Sequence, residues 1–187
     1  SCIAFYFLTA KHRIAYFLKM TRINTIALLS TIGLLTTCEE KNNPDGNKVT
    51  EPLVARIVYS RPQKNGRKVF GELVEYGQVW RLGANEATEI ELYKDCKVNG
   101  QKLKKGRYTL YAIPHQDNWT VIFNKETDIW GAFLYDEKKD VLRTDIKPEN
   151  LVEAAEAFSM GFEKATDSNV NLVISWDDVK AVLPFTF

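Results

Sequence analysis

The sequence predicts an all-β domain: an antiparallel two-sheet β-sandwich, jelly-roll-like, with at most one short helix. Three observations carry this expectation. From residue 53 onward the apolar residues recur mostly with a period of two. Turn-forming residues interrupt that pattern at short, fairly regular intervals, as they do in sandwiches and barrels. Helical spacing is confined to 148–157, where Leu151, Ala154 and Ala155 fit a turn or two of helix or, equally, the lead-in to a strand at Phe158.

The strands follow in order. Val54, Arg56 and Val58 alternate with Ala55, Ile57 and Tyr59, and the run stops at Pro62, which has no amide proton for a ladder. Across 88–93, Ile90 and Leu92 point inward and Glu89 and Glu91 outward, the pattern of a strand wet on one side. Asn99-Gly100 between Val98 and Leu103 signals a hairpin, because both central residues of a type I′ turn need positive φ. Residues 107–113 and 119–123 are rich in β-branched and aromatic side chains on both parities, as central strands covered on both faces would be, with a loop at 114–118 between them. Residues 141–146 and the period-two trio Phe158, Met160 and Phe162 continue the series. The chain ends in Leu172 to Trp176, a turn at Asp177-Asp178, and a strand whose Val179, Ala181, Leu183, Phe185 and Phe187 share a face.

The first part of the chain reads differently. The 187 residues hold 25 Lys+Arg against 24 Asp+Glu, so the strong basic excess of a nucleic-acid protein is missing. Residues 1–37 nevertheless carry four cations (Lys11, Arg13, Lys19, Arg22) and no acid, which leaves 38–187 with a net charge of −3. Residues 20–37 read as a signal peptide, with a small basic region after Met20 and then an apolar run too short to span a bilayer. The run ends Leu35-Thr36-Thr37-Cys38, which resembles a bacterial lipobox, although Thr37 departs from the usual Gly, Ala or Ser. A lipid on Cys38 would attach the protein to a membrane. Residues 1–19 read as a misassigned upstream extension, 38–52 as a flexible polar tether, and 53–187 as the sandwich domain. The expected address is exported: an outer-membrane lipoprotein, periplasmic or surface-facing.

The residues offer little chemistry. Two His and three Cys provide no zinc ribbon or disulfide framework, so neither metal nor cofactor is expected. His115 lies in a loop, no Ser stands in a nucleophile elbow, and Cys96 reads as a buried thiol at a strand end. Residues 76–88 are more suggestive. They place Arg81, Asn85 and Glu86 within six positions, beside Trp80. A cation, an amide and a carboxylate next to an aromatic face suit a polar ligand or sugar. The same residues also suit a purely structural loop fixed by an Arg81–Glu86 ion pair and Asn85 turn bonds. Arg61, Lys125, Trp130 and Tyr135 belong to segments that strand direction brings toward the same end.

The motifs Tyr59-Ser60-Arg61-Pro62, Gly66-Arg67-Lys68-Val69-Phe70-Gly71-Glu72-Leu73-Val74 and Tyr76-Gly77-Gln78-Val79-Trp80-Arg81-Leu82-Gly83-Ala84-Asn85-Glu86-Ala87-Thr88 resemble the domain-of-unknown-function family twenty-nine-eleven. The resemblance continues through 106–114, 119–125, Trp130-Gly131 and Tyr135-Asp136 and closes at Leu183-Pro184-Phe185. Leu82 stands where the family more often has Thr. The resemblance implies an exported all-β domain, chiefly from Bacteroidota, and carries no activity or ligand with it. The expected function is noncatalytic binding of a small polar ligand, glycan or envelope protein. The alternatives are a glycan-active hydrolase using Glu86 and an acid such as Asp136, and a structural part of an envelope assembly.

Overall fold

The computed structural model describes residues 13–19, 53–166 and 168–187. The expected signal peptide, Cys38 and the tether lie outside the described residues. Among the described residues there are ten strands: β1 (Arg13–Lys19), β2 (Leu53–Ser60), β3 (Thr88–Leu92), β4 (Cys96–Val98), β5 (Gln101–Leu103), β6 (Gly106–Pro114), β7 (Trp119–Asn124), β8 (Asp140–Ile146), β9 (Glu149–Lys164) and β10 (Asn169–Thr186). They form two antiparallel sheets, one ordered β1-β2-β3-β6-β7-β8 and the other β5-β4-β10-β9. β1, from the stretch read as an upstream extension, pairs with β2 from Arg13 opposite Ser60 to Leu18 opposite Ala55. Among the described residues the only helix is the 3-10 turn Glu137–Lys139, capped by Asp136.

The two sheets close on one apolar interior, as the alternation requires. Ile57, Tyr59, Ile90, Leu110, Val121 and Phe123 enter it from the six-stranded sheet, and Phe158, Met160, Leu172, Ile174, Leu183 and Phe185 from the other. Tyr59 links the sheets directly: its hydroxyl donates to the Met160 carbonyl at 3.1 Å and accepts from the Met160 amide at 2.9 Å. The outer faces of β6 and β7 are covered too. Tyr111 and Ile122 pack there beneath Val79, Ile129, Ala132 and Tyr135, so the continuous apolar run of β6 reports a strand buried on both faces.

Of the two readings of 148–157, the strand is the one found: from Glu149 it forms the first half of β9, and residues 151–154 bulge opposite Asp178 alone, between the pairs Val179–Asn150 and Asp177–Ala155. The extra residues break the period of two and imitate helical spacing. One expectation is corrected: Asp177-Asp178 lies inside one long strand, opposite the residues that β9 inserts, rather than at a turn between two strands. Asp177 has φ 52 there, and its buried carboxylate accepts from Lys64 Nζ and from the Val69 amide at 3.0 Å. Burial by itself would raise this carboxyl, but the bonds from Lys64 and Val69 outweigh it and hold it below its ordinary value.

Two predictions follow from these links between the sheets. Tyr59→Phe leaves both backbone groups of Met160 without that partner and should lower stability by about 1–3 kcal/mol, read from the urea midpoint. Asp177→Ala removes the acceptor of a buried amide and should cost a similar ~1–3 kcal/mol. Asp177→Asn keeps an acceptor and loses only the charge. Because the folded carboxyl titrates below its unfolded value of about 3.9, the wild-type advantage over Asn is full above that pH and disappears as pH falls through the folded value. A difference that stays constant down to pH 2 would show that the charge is not responsible.

Candidate functional site

The rim of the sandwich where β2 ends is assembled from three segments. The first is 60–70, which leaves β2 and runs along β9. The Lys64 amide donates to the Glu156 carbonyl at 2.8 Å, the Phe158 amide donates to the Pro62 carbonyl at 2.8 Å, and the Asn65 amide donates to the Glu156 side chain. Asn65 and Gly66, at φ 49 and 72, form the tight turn of this segment.

The second segment is 77–88. Past the point where Thr88 pairs with Leu110, Trp80 takes over the edge of β6 by bridging Ala112, with reciprocal backbone bonds of 2.7 and 2.9 Å. That register turns the Trp80 ring into the core, where it meets Phe70, Trp119, Phe158 and Trp176 at centroid distances of 5.3–6.0 Å. Its Nε1 donates to the Gly83 carbonyl at 3.2 Å. Trp80 therefore presents no face to a ligand. Alternation then directs Arg81 to the outer face of the sheet. The chain bends sharply after it, with Leu82 at φ 52, Gly83 at φ 150 and Asn85 at φ 60. A Cβ on Gly83 would lie 3.0 Å from the Ser60 carbonyl, so only glycine lets the bend lie against the end of β2.

The third segment, 125–139, folds over the outer face and is tied down along its length. The Thr109 hydroxyl donates to the Glu126 carbonyl at 2.6 Å, and Asn124 Nδ2 donates to the Asp136 carbonyl at 3.0 Å. Tyr135 donates to Asp140 at 2.6 Å while its ring packs edge-on against Tyr111 at 5.1 Å. Burial pushes the Tyr111 phenol up to about 12, with Glu126 and Asp140 adding to the shift. Glu86 bridges Trp130 through the backbone, and the Gly131 amide donates to the Asn85 carbonyl at 3.0 Å.

A cleft of about 340 Å³ opens where the first two segments meet, lined by Ser60, Arg61, Pro62, Gln63, Asn65, Ala84 and Asn85. Of the residues expected at a site, Arg61 and Asn85 line it. Trp130, 61% exposed, does not line it, but its loop is joined to the cleft through the Gly131–Asn85 bond. Arg81 is half-buried on the outer face, and no ion pair joins it to Glu86, so the proposed structural clasp is not formed. Lys125 is exposed, with its amide on the Lys139 carbonyl, and Tyr135 fastens the third segment rather than facing the cleft. Cys38, the expected lipidation site, lies outside the described residues. Ser60, Gln63 and Asn65 were not anticipated. Asn65-Gly66 carries the same hairpin signal as Asn99-Gly100 and marks the turn that brings these residues to the cleft.

The electrostatics of this rim are unusual. Among the described residues, the buried side-chain polar atoms without a hydrogen-bond partner are Ser60 Oγ and Arg81 Nε, and they flank the same bend. Desolvation lowers the Arg81 guanidinium from its ordinary value, with no carboxylate to offset it. The contrast is with a second groove of similar size, lined by Arg56, Val58, Glu89, Glu91 and Arg107, where Arg107 bonds both Glu89 and Asp128. Asp136, the suggested partner of Glu86 in hydrolysis, uses its carboxylate to cap the 3-10 turn by accepting from the Lys138 amide at 3.0 Å. Cys96 is buried, and burial with help from Asp95 raises its thiol to about 11, which leaves it protonated and inert.

An orphaned, half-buried guanidinium destabilises the empty domain, so its removal is informative. Arg81→Met should leave stability unchanged or raise it by up to ~1 kcal/mol, a figure held down because the group is partly solvated. A loss above about 1 kcal/mol in chemical denaturation would mean that Arg81 has a structural role.

Comparison with curated proteins and with solved structures finds no match. A family does match, over residues 47–185, a range that contains both sheets except β1 and all three rim segments. The chain belongs to the family described as Protein of unknown function (DUF2911).

Proposed function

We propose that this chain is an exported, lipid-anchored binding module that holds a small polar ligand at its rim and performs no chemistry on it. One observation carries the binding reading: the cleft lies at a bend with backbone at positive φ, its lining includes the partnerless Ser60 hydroxyl, and the unpartnered Nε of Arg81 adjoins that bend. Unsatisfied buried donors and left-handed backbone are unfavourable in an empty protein and persist where function uses them. The cleft lining holds one cation and no carboxylate, which favours an uncharged or anionic ligand over acid–base hydrolysis.

The anchor rests on the sequence from Met20 to Cys38. Leu53, where the described domain resumes, lies at the opposite end of β2 from Arg61, so a tether ending there leaves the rim facing away from the membrane. Bacteroidota lipoproteins with acidic residues after the acylated cysteine reach the cell surface, and Glu39-Glu40 fits that pattern.

Two measurements test the two halves of this reading. In thermal-shift screening of small polar compounds, a true ligand at a hundred times its Kd should add about 2.7 kcal/mol of stability to the wild type and nothing to Arg81→Met. Equal stabilisation of both proteins would remove the rim from consideration. Cells fed a labelled lipid precursor should label the wild type and not Cys38→Ala; label surviving that substitution would reject the anchor.

A further inference from the structure

We propose that the rim ligand is a saccharide bearing a carboxylate, with a sugar ring stacked on Trp130 and its acid group on Arg61 or Arg81. This deepens the binding reading above and rests on it. The cleft lining supplies the first argument. Gln63, Asn65 and Asn85 each carry a donor and an acceptor on one planar group, and Ser60 carries both on one oxygen. A bare oxyanion uses donors only, whereas the neighbouring hydroxyls of a sugar use both. The acceptors would have no role with phosphate or sulfate.

The second argument is the exposed indole. Trp130 is 61% exposed and Phe133 87%, yet the backbone beneath them is pinned by the Glu86 bridge and the Gly131–Asn85 bond. The Phe133 ring lies over Gly131, where a Cβ would come within 2.8 Å of it, so the two aromatic groups are held on either side of one glycine. Asn85 belongs to both features, lining the cleft and holding the aromatic loop with its carbonyl. An aromatic face fixed next to a polar cleft matches a pyranose, which has an apolar C–H face and a hydroxylated edge.

The third argument is charge. Arg107 and Arg143 have carboxylates within ion-pair distance, whereas Arg61 and Arg81 form no ion pair among the described residues. Arg61 in the cleft lining and Arg81 at the adjoining bend, neither in an ion pair, favour a carboxylate on the sugar. A bilayer is a poorer occupant. The stretch 125–140 carries Lys125, Lys138 and Lys139 against Glu126, Asp128, Asp136, Glu137 and Asp140, so it repels anionic lipid, and it lies at the far end of β2 from Leu53.

Fluorescence tests this directly. The other indoles, Trp80, Trp119 and Trp176, are 7%, 2% and 3% exposed, so solvent-sensitive emission belongs to Trp130. The full chain in detergent is titrated with uronic-acid oligosaccharides of several epimers, their neutral counterparts, inorganic phosphate and anionic vesicles. At least one uronate should shift or quench emission saturably, with affinity about tenfold better than its neutral counterpart. The signal should vanish in Trp130→Ala and be partly kept in Trp130→Phe when read by calorimetry. Arg61→Gln or Arg81→Gln should erase the preference for the acidic sugar. The saccharide is overturned if no uronate binds, if binding ignores Trp130→Ala, or if phosphate or vesicles give the same response. Should such a ligand still require Arg81, the rim remains a binding site and only the saccharide assignment fails.

Discussion

The rim depends on a carboxylate located in the opposite sheet. Asp177 sits at a left-handed position in β10, where the bulge turns its side chain toward segment 60–70, and it engages both Lys64 and the amide of Val69. Together with the bonds from 62–65 to β9, these contacts fasten the segment that leaves β2 onto the other layer. Without them the chain after Pro62, which cannot extend the ladder, would have no reason to run beside β9, and the cleft would lose one wall. The irregular ladder, with extra residues in β9 facing a left-handed Asp177 in β10, thus aims one side chain, a common use of such bulges.

A second constraint acts from the core outward. Trp80 occupies the centre of an aromatic cluster that reaches both sheets, and its backbone completes the edge of β6. Anchoring residue 80 this firmly fixes the start of the 82–85 bend, while the Thr88 hydroxyl, donating to the Leu82 carbonyl at 2.5 Å, closes it. The loop is short, so Arg81 stays on the outer face however poor its surroundings. The rigidity that forms the cleft also leaves its guanidinium unpaired.

The strands were largely legible because each buries one face, and a period of two survives wherever the ladder is regular. Ile90 and Leu92 inward, the Asn99-Gly100 hairpin and the doubly covered β6 all follow from that rule. The failures mark irregular ladders. Residues 151–154 and 156–158 insert length into β9 opposite Asp178 and Trp176, and an inserted residue shifts the parity of everything after it. Trp80 was legible as belonging to a polar loop but not as core, because its orientation depends on a bridge to Ala112, 32 residues away in sequence. The site was half legible for the same reason. Arg61 and Asn85 could be placed at one end by strand direction, whereas the lining by Gln63 and Asn65 depends on a turn stabilised by β9, which no local pattern records.

The unpaired groups also bear on what this bend is for. Replacing Arg81 by an apolar residue and Gly83-Ala84 by an ordinary turn would remove a desolvated charge and backbone at positive φ, so selection for stability alone would favour both changes. A structural role offers nothing to oppose that drift, since Arg81 forms no ion pair and donates no hydrogen bond from Nε. The proposed ligand binding would oppose it: an anion that met a guanidinium already stripped of part of its water would gain an interaction that a fully hydrated surface arginine provides only weakly. On that proposal the penalty in the free protein and the gain on binding would have one origin, the partial burial of Arg81 beside a tight bend.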